Sequence, residues 1–503
     1  MRVNNQIKTG AILSYLSIGI NMVTGLIYTP WMINQIGKND YGLYTLALSL
    51  ITLFLVDFGL SAAASRFLSK YVAEGEHEKA NSFLGAIYKL YIIIDAIIFI
   101  ALIIIFFFID IIYDNLTPEE ISKFKVVYII ASMYALINFP FITLNGVLTA
   151  YEKFFQLKLA DIISRVLIVV MTVCALWFGM GLYALVTVNA VAGIITIAFK
   201  FFVIRKVTPI KVNFKNTEKG LYKSIFSFSF WTTLSNLAQR LIFTITPTIL
   251  GIVANSAEIA IFGVIQTLEQ YVYTIANAIN GMFMPKISKI YTEEQANENL
   301  MSLLIKVGRF QFAINGFIVA GFLSVGKQFV ELWMGNGFEG VYIGVLLIAI
   351  PGLFYNPLQV ANTAMVVKNK VKEQAYIAII MGVINVGLSF VFATKFGAIG
   401  CAISIFIALI ARDIMYHIAH KKIMKIDILS FIKKCYFKML PPVLITIMVG
   451  LLLNNIILIN TWLILGVKAA ILGVVYLTSL LCFSLNKNER KSIRNAIKLK
   501  TFR

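Results

Sequence analysis

The residues able to do chemistry in this chain are charged and amide side chains set inside apolar stretches. Thr232, Asn236, Arg240, Thr244 and Thr248 stand four apart, which places all five along one side of a helix. Gln266, Glu269, Gln270, Tyr273, Asn277 and Asn280 form a second stripe, three or four apart, and Ser14, Ser17, Asn21, Thr24 and Tyr28 a third without charge. A charge at the centre of a bilayer costs ~2.5–3.5 kcal/mol on insertion scales, so such groups face a cavity or a partner. Two arrangements meet that demand. Arg240 and Glu269 pair and pin their helices, with Ser, Thr and Asn bonding between them. Alternatively the stripes wall a hydrated cavity in which Arg240 meets an anionic substrate, because its planar fork bonds two phosphate oxygens at once and stays charged.

Other intramembrane charges are less pointed. Lys89 and Asp95 are six apart and do not stack, and Lys89 either snorkels to the inner interface or serves a substrate. Lys468 either snorkels outward or contacts a lipid head group. Asp57, Asp95 and Glu269 are the acids suited to proton or cation coupling. Asp161 and Arg165, at i and i+4, are expected to neutralise each other. Arg412-Asp413 is expected at the inner interface, and His77, His417 and His420 in solvated connections. Cys174, Cys401, Cys435 and Cys482 have neither CxxC nor histidine spacing, so no metal site or redox pair is indicated. The run from Gly321 to Gln328 nearly spells a phosphate-binding loop. It ends in Gln and follows no strand, so it is rejected. No catalytic residues and no cofactor motif emerge, and the polar connections are too short to fold into an enzyme domain.

These side chains need helices to hold them at depth. The 503 residues are 59% hydrophobic and 14% charged, against about 25% charged in soluble domains, so the chain belongs in a membrane. A window of about 20 apolar residues marks fourteen spans: 10–33, 41–64, 82–109, 126–149, 160–178, 182–204, 226–250, 259–284, 307–329, 341–366, 375–396, 398–416, 439–459 and 461–483. Gly179-Met180-Gly181, Phe396-Gly397 and Ile459-Asn460 are the tight links. With a cytoplasmic N-terminus, 35 of the 44 Lys and Arg fall in inner connections or termini and five in outer ones. That bias orients both termini inward and explains the net charge of +20 without nucleic acid.

The chain also repeats itself at an offset of 217 to 219. Thr29-Pro30 meets Thr246-Pro247, Ser69-Lys70 meets Ser288-Lys289, Lys153 meets Lys370, and Gly181 meets Gly400. Six spans are an even number, so the expected fold is all-α: two parallel six-helix lobes related by a pseudo-twofold along the membrane normal, plus a C-terminal pair. The expected divisions are a lobe at 1–204, a cytoplasmic linker at 205–225, a second lobe at 226–420, appended spans at 421–485 and a basic tail at 486–503.

Several segments carry a family resemblance: GKNDYGLYTLALSL (37–50), DFGLSAAASRFLSKY (57–71), TLNGVLTAYEKF (143–154), and the paired links GMGLYALV (179–186) and FGAIGCAIS (396–404). With the fourteen-span layout, the chain resembles the polysaccharide-transporter branch of the multidrug/oligosaccharidyl-lipid/polysaccharide exporter superfamily, among them the O-antigen and capsule repeat-unit flippases of bacteria. The resemblance implies translocation of an undecaprenyl-pyrophosphate-linked oligosaccharide across the bacterial cytoplasmic membrane. It also implies membrane lipid around the cargo, and a glycan polymerase and glycosyltransferases of the same pathway as partners. Arg240 would hold the pyrophosphate, with Lys89 and Lys468 as further basic candidates, while Asn21, Asn236, Gln270, Tyr273 and Asn277 would bond sugars beside Glu269. The alternatives are a cation-coupled drug antiporter of the same superfamily, a major-facilitator transporter, and a membrane glycan polymerase or ligase. The second lacks its Asp-Arg-Gly-Arg-Arg-type signature after span 2, and the third lacks a large outer loop.

Overall fold

A computed structural model describes residues 19, 21–215, 221–277, 283–291, 293, 295–457 and 461–485. The described residues are mostly helical, with no strand among them. Nine helical stretches among them are long and apolar enough to cross a membrane. The other expected spans are interrupted, carry polar stripes, or run into residues outside that set.

The first half contains α1 (21–36), α2 (Lys38–Phe54), α3 (Leu60–Ala73), α4 (His77–Ile112), α5 (Pro118–Asn138), α6 (Thr143–Ala150), α7 (Phe154–Trp177) and α8 (Gly181–Val207). The second contains α9 (Leu221–Arg240), α10 (Thr246–Val253), α11 (Ser256–Asn277), α12 (Met284–Ile290), α13 (Ala296–Met334), α14 (Gly340–Tyr355), α15 (Gln359–Val367) and α16 (Val371–Lys422). Last come α17 (Ile428–Phe431), α18 (Phe437–Ile456) and α19 (Trp462–Ser479).

The helix ends follow from local chemistry. Thr117 caps α5 in a reciprocal box with Glu120, with Pro118 in the first turn, where its missing N–H is not needed. Gly179 and Gly181 take φ of 75° and 60° in the expected link between α7 and α8. Gly397, at φ 54° and ψ −131°, breaks α16 where the Phe396-Gly397 link was expected. Ile459-Asn460 lies outside the described residues.

The duplication extends to irregularities. A 3-10 turn at Phe139–Ile142 around Pro140 separates α5 from α6, and another at Asn356–Leu358 around Pro357 separates α14 from α15. Each proline removes one intrahelical bond, at places 217 residues apart. Glu152 and Asn369, non-glycine residues at φ 55° and 58°, stand at the same offset.

Contacts divide the chain into residues 1–263 with 386–397, and 264–385 with 398–503. In the first unit α7 packs on α8, α3 on α6 and α2 on α5. A side chain on Gly42 would meet the Ser256 backbone, so that approach needs glycine. In the second unit α18 and α19 pack on α13. Their seam buries Phe312, Met439, Val443 and Tyr476, and the Tyr476 hydroxyl donates to the Ala313 carbonyl at 2.7 Å. The terminal pair is thus part of that unit's core.

Candidate functional site

Span 2 is not continuous. After Phe54 the chain leaves the helix through Leu55, Phe58 turns to φ 48° and Gly59 to φ 68°, and α3 begins at Leu60. A helix end leaves up to four carbonyls without intrahelical donors, which is costly away from water. Arg240, at the C-terminus of α9, supplies donors: Nη1 donates to the Thr52 carbonyl and Nη2 to that of Leu55 at 3.0 Å. Ser49 of α2 donates to the Thr244 carbonyl just beyond α9, a second tie between the same segments. Asp57 accepts from the Gly59 N–H at 3.1 Å within the break and is the negative charge acting on Arg240. Two of the five guanidinium N–H groups are therefore on backbone carbonyls. Arg240 itself is half-buried, and Asn236, one turn earlier on α9, is exposed.

Elsewhere in the first unit Asn21 on α1 and Lys89 and Asp95 on α4 are half-buried. The Oδ1 of Asp95 is buried with no hydrogen-bond partner. Asp161 is held by Lys158 and Lys200, both at 3.4 Å, instead of by Arg165. Lys200 reaches across from the neighbouring α8 and places a cation where the i,i+4 rule looked only along one helix.

In the second unit Glu269 is half-buried on α11, where Arg412 is the charge acting on it. Tyr273 is 50% exposed, and Gln270 is exposed and donates to Thr274 Oγ1 at 3.4 Å. The Asn277 and Thr232 side chains lie outside the described residues. Lys468 is 1% exposed and donates to Asn454 Oδ1, while Asn454 donates to the Ser324 carbonyl at 3.0 Å. Its ammonium is engaged within the seam of α13, α18 and α19.

Arg412-Asp413, expected at the inner interface, is packed within the second unit: the side chains are 15% and 7% exposed, and Arg412 lies 3.6 Å from the centre of the Tyr355 ring. One expectation needs correction. His417 and His420 are not in a solvated connection, because α16 runs on to Lys422. His420 is 1% exposed and bonds Asn362, and His417 bonds the Asp413 carbonyl. The inward face at 412, 413, 416, 417 and 420 has i, i+4 and i+8 spacing, which could have revealed a continuing helix. Tyr355, Asn362 and Tyr436 come from distant segments and left no such trace.

A match to known proteins joins these observations. The family described as "Polysaccharide biosynthesis protein" matches residues 7–291, more than half the chain. The chain belongs to that family. Over 406 residues it is 23% identical to the "Putative O-antigen transporter" of Escherichia coli (strain K12), covering 78% of this chain and 91% of that one. Its fold is similar to that of the lipid II flippase MurJ in an inward closed conformation, with TM-score 0.72 and 16% identity over 93% of this chain and 97% of that one. An inward-facing multidrug resistance MATE transporter of the MOP superfamily gives 0.69 and 15%, over 84% and 99%. The family member described here is a multi-pass membrane protein, and the relatives and fold neighbours above are named as transporters or flippases.

Proposed function

We propose that the chain flips an undecaprenyl-pyrophosphate-linked oligosaccharide from the cytoplasmic to the outer leaflet of a bacterial cytoplasmic membrane, with both termini inside. The observation that carries the reading is Arg240: a half-buried guanidinium at the C-terminus of α9 in a polysaccharide-family protein, one turn from the exposed amide of Asn236. A diphosphate offers that fork better acceptors than two carbonyls do, since charge-assisted bonds are roughly twice as strong as neutral ones. Asn21, Asn236, Gln270, Tyr273 and Asn277 then bond sugar hydroxyls. Access alternates through movement of the lobes at 1–204 and 226–420, and Asp57, Asp95 and Glu269 are the coupling acids. Lys89 remains a secondary basic candidate, and Lys468 serves the seam in which it is bonded. The deciding experiment is translocation of a lipid-linked oligosaccharide in vesicles containing the purified protein. Leaflet transfer that Arg240→Ala abolishes supports the reading, and undiminished transfer in that variant removes the pyrophosphate role.

A second reading, a cation-coupled drug antiporter, is favoured by the unpartnered buried oxygen of Asp95 and the MATE-like fold. Cation-dependent dye efflux from the same vesicles, lost in Asp95→Asn, would select it.

A further inference from the structure

The second unit holds a buried polar cluster on the C-terminal part of α16, bordered on α11 by Glu269 and Tyr273 of the proposed cargo site. Nε and Nη2 of Arg412 donate to Asp413 Oδ1 at 3.1 and 3.0 Å. The other oxygen of Asp413, Oδ2, is buried with no partner. Glu269 on α11 is a second carboxylate within electrostatic reach of Arg412. The remaining titratable groups of the cluster are Tyr273 of α11, Tyr355 of α14, Tyr416 and His420 of α16, and Cys435 and Tyr436 of the segment after α17. Arg309 of α13 acts on Cys435. Arg412 is the cation acting on both Asp413 and Glu269, while Arg309 acts on Cys435, so with both histidines neutral the two carboxylates share one guanidinium and the buried site has room for one more proton.

The hydrogen bonds of His417 show where that charge fits. Nδ1 is 2.6 Å from the Asp413 carbonyl oxygen, which only accepts, so Nδ1 carries a hydrogen. Nε2 is 3.4 Å from the Tyr436 hydroxyl. That hydroxyl has a single hydrogen, and the Phe354 carbonyl at 2.5 Å is positioned to take it. What the hydroxyl then turns toward Nε2 is a lone pair. A bare Nε2 cannot bond a lone pair, whereas an imidazolium N–H can. Loss of that proton requires the Tyr436 hydrogen to leave Phe354 and rotate to Nε2, so both charge states have a defined bonding pattern.

His420 lacks this property. Its Nε2 donates to Asn362 Oδ1 at 2.9 Å, since the Asn362 amide nitrogen is turned to the Tyr355 hydroxyl at 3.1 Å. Its Nδ1 is buried with no partner, which describes a neutral ring in one tautomer. A metal ion is a poorer occupant of the cluster than a proton, because no group of three His, Cys, Asp or Glu among the described residues is placed to hold one.

We propose that His417 is a proton-binding site of the second unit, taking one proton from water onto Nε2 and reporting it through the Tyr436 hydroxyl. The site stands whatever the cargo is.

The chain has three histidines, so nitrogen-15 labelling of histidine resolves the question in the full-length protein in lipid bilayers. By solid-state magnetic resonance, the His417 ring is expected to pass from one bare nitrogen to two N–H groups as pH falls from about 8 to 5. It should be the ring missing from His417→Gln. His77→Gln removes the exposed ring and completes the assignment by elimination if His417→Gln does not fold. Tyr436→Phe should weaken proton binding at His417 roughly tenfold and leave the His420 signals unchanged. A His417 ring that keeps one bare nitrogen throughout, or whose titration ignores Tyr436→Phe, overturns the proposal.

Discussion

Arg240 illustrates how one side chain can serve both architecture and cargo. Its guanidinium bonds the open end of α2, and hydrogen bonds to charged groups contribute about 1.5–3 kcal/mol each. The proposed cargo competes for the same donors. Arg240→Lys separates the two uses: it keeps the charge but loses the fork, so transfer should fall at least tenfold while the protein still inserts and is purified intact. Lys468 makes the opposite case. Lys468→Met alone leaves the Oδ1 of Asn454 without its donor and should lower the unfolding temperature. Lys468→Met with Asn454→Leu should recover much of the loss in a thermal melt, because a buried polar pair replaced whole is far cheaper than one broken in half. Both cations were visible in the sequence as charges at depth. Their partners were not, since Thr52, Leu55 and Asn454 offer ordinary carbonyl or amide oxygens with no compositional signal.

Helix ends were legible wherever special residue chemistry marks them. Thr117 with Glu120 is a readable capping box, and Thr117→Ala should cost about 1 kcal/mol and speed amide exchange in the first turn of α5. Gly397 holds a conformation that a side chain strains, so Gly397→Val should destabilise by about 1–3 kcal/mol, read as a lower melting temperature in detergent. The break at 55–59 lacked an equally clear marker. Leu55, Val56 and Phe58 are apolar and belong to any hydropathy window, and a lone Gly59 is tolerated within helices. What opens the helix there is the neighbouring α9, whose arginine satisfies the released carbonyls. A window that scores one segment at a time cannot see a donor 185 residues away. The same limit ended the expected span at residue 416 and left His417 and His420 in a solvated connection, because charge ends a hydropathy span even where the helix runs on.

At the scale of the molecule, two series of helices share the proline turns at Pro140 and Pro357 and the left-handed residues Glu152 and Asn369, which is how a duplication survives after most identities are lost. The terminal pair α18–α19 lies beyond the repeat in sequence but belongs to one core with α13. Truncation after residue 436 should therefore abolish accumulation of folded protein, detected as loss of a monodisperse peak in size exclusion. A variant with its tail removed after residue 485 should accumulate normally, since that cut spares every described helix.

Composition and periodicity determined the class, the approximate spans, the polar stripes and the repeat, because lipid solvates only long apolar helices and a repeated gene segment keeps its spacing. Tertiary structure alone decided which charges meet carbonyls, which meet carboxylates and which nitrogen of a histidine faces a hydroxyl. Those outcomes depend on a few ångströms between segments far apart in the chain, and the order of residues along one helix carries no measure of that distance.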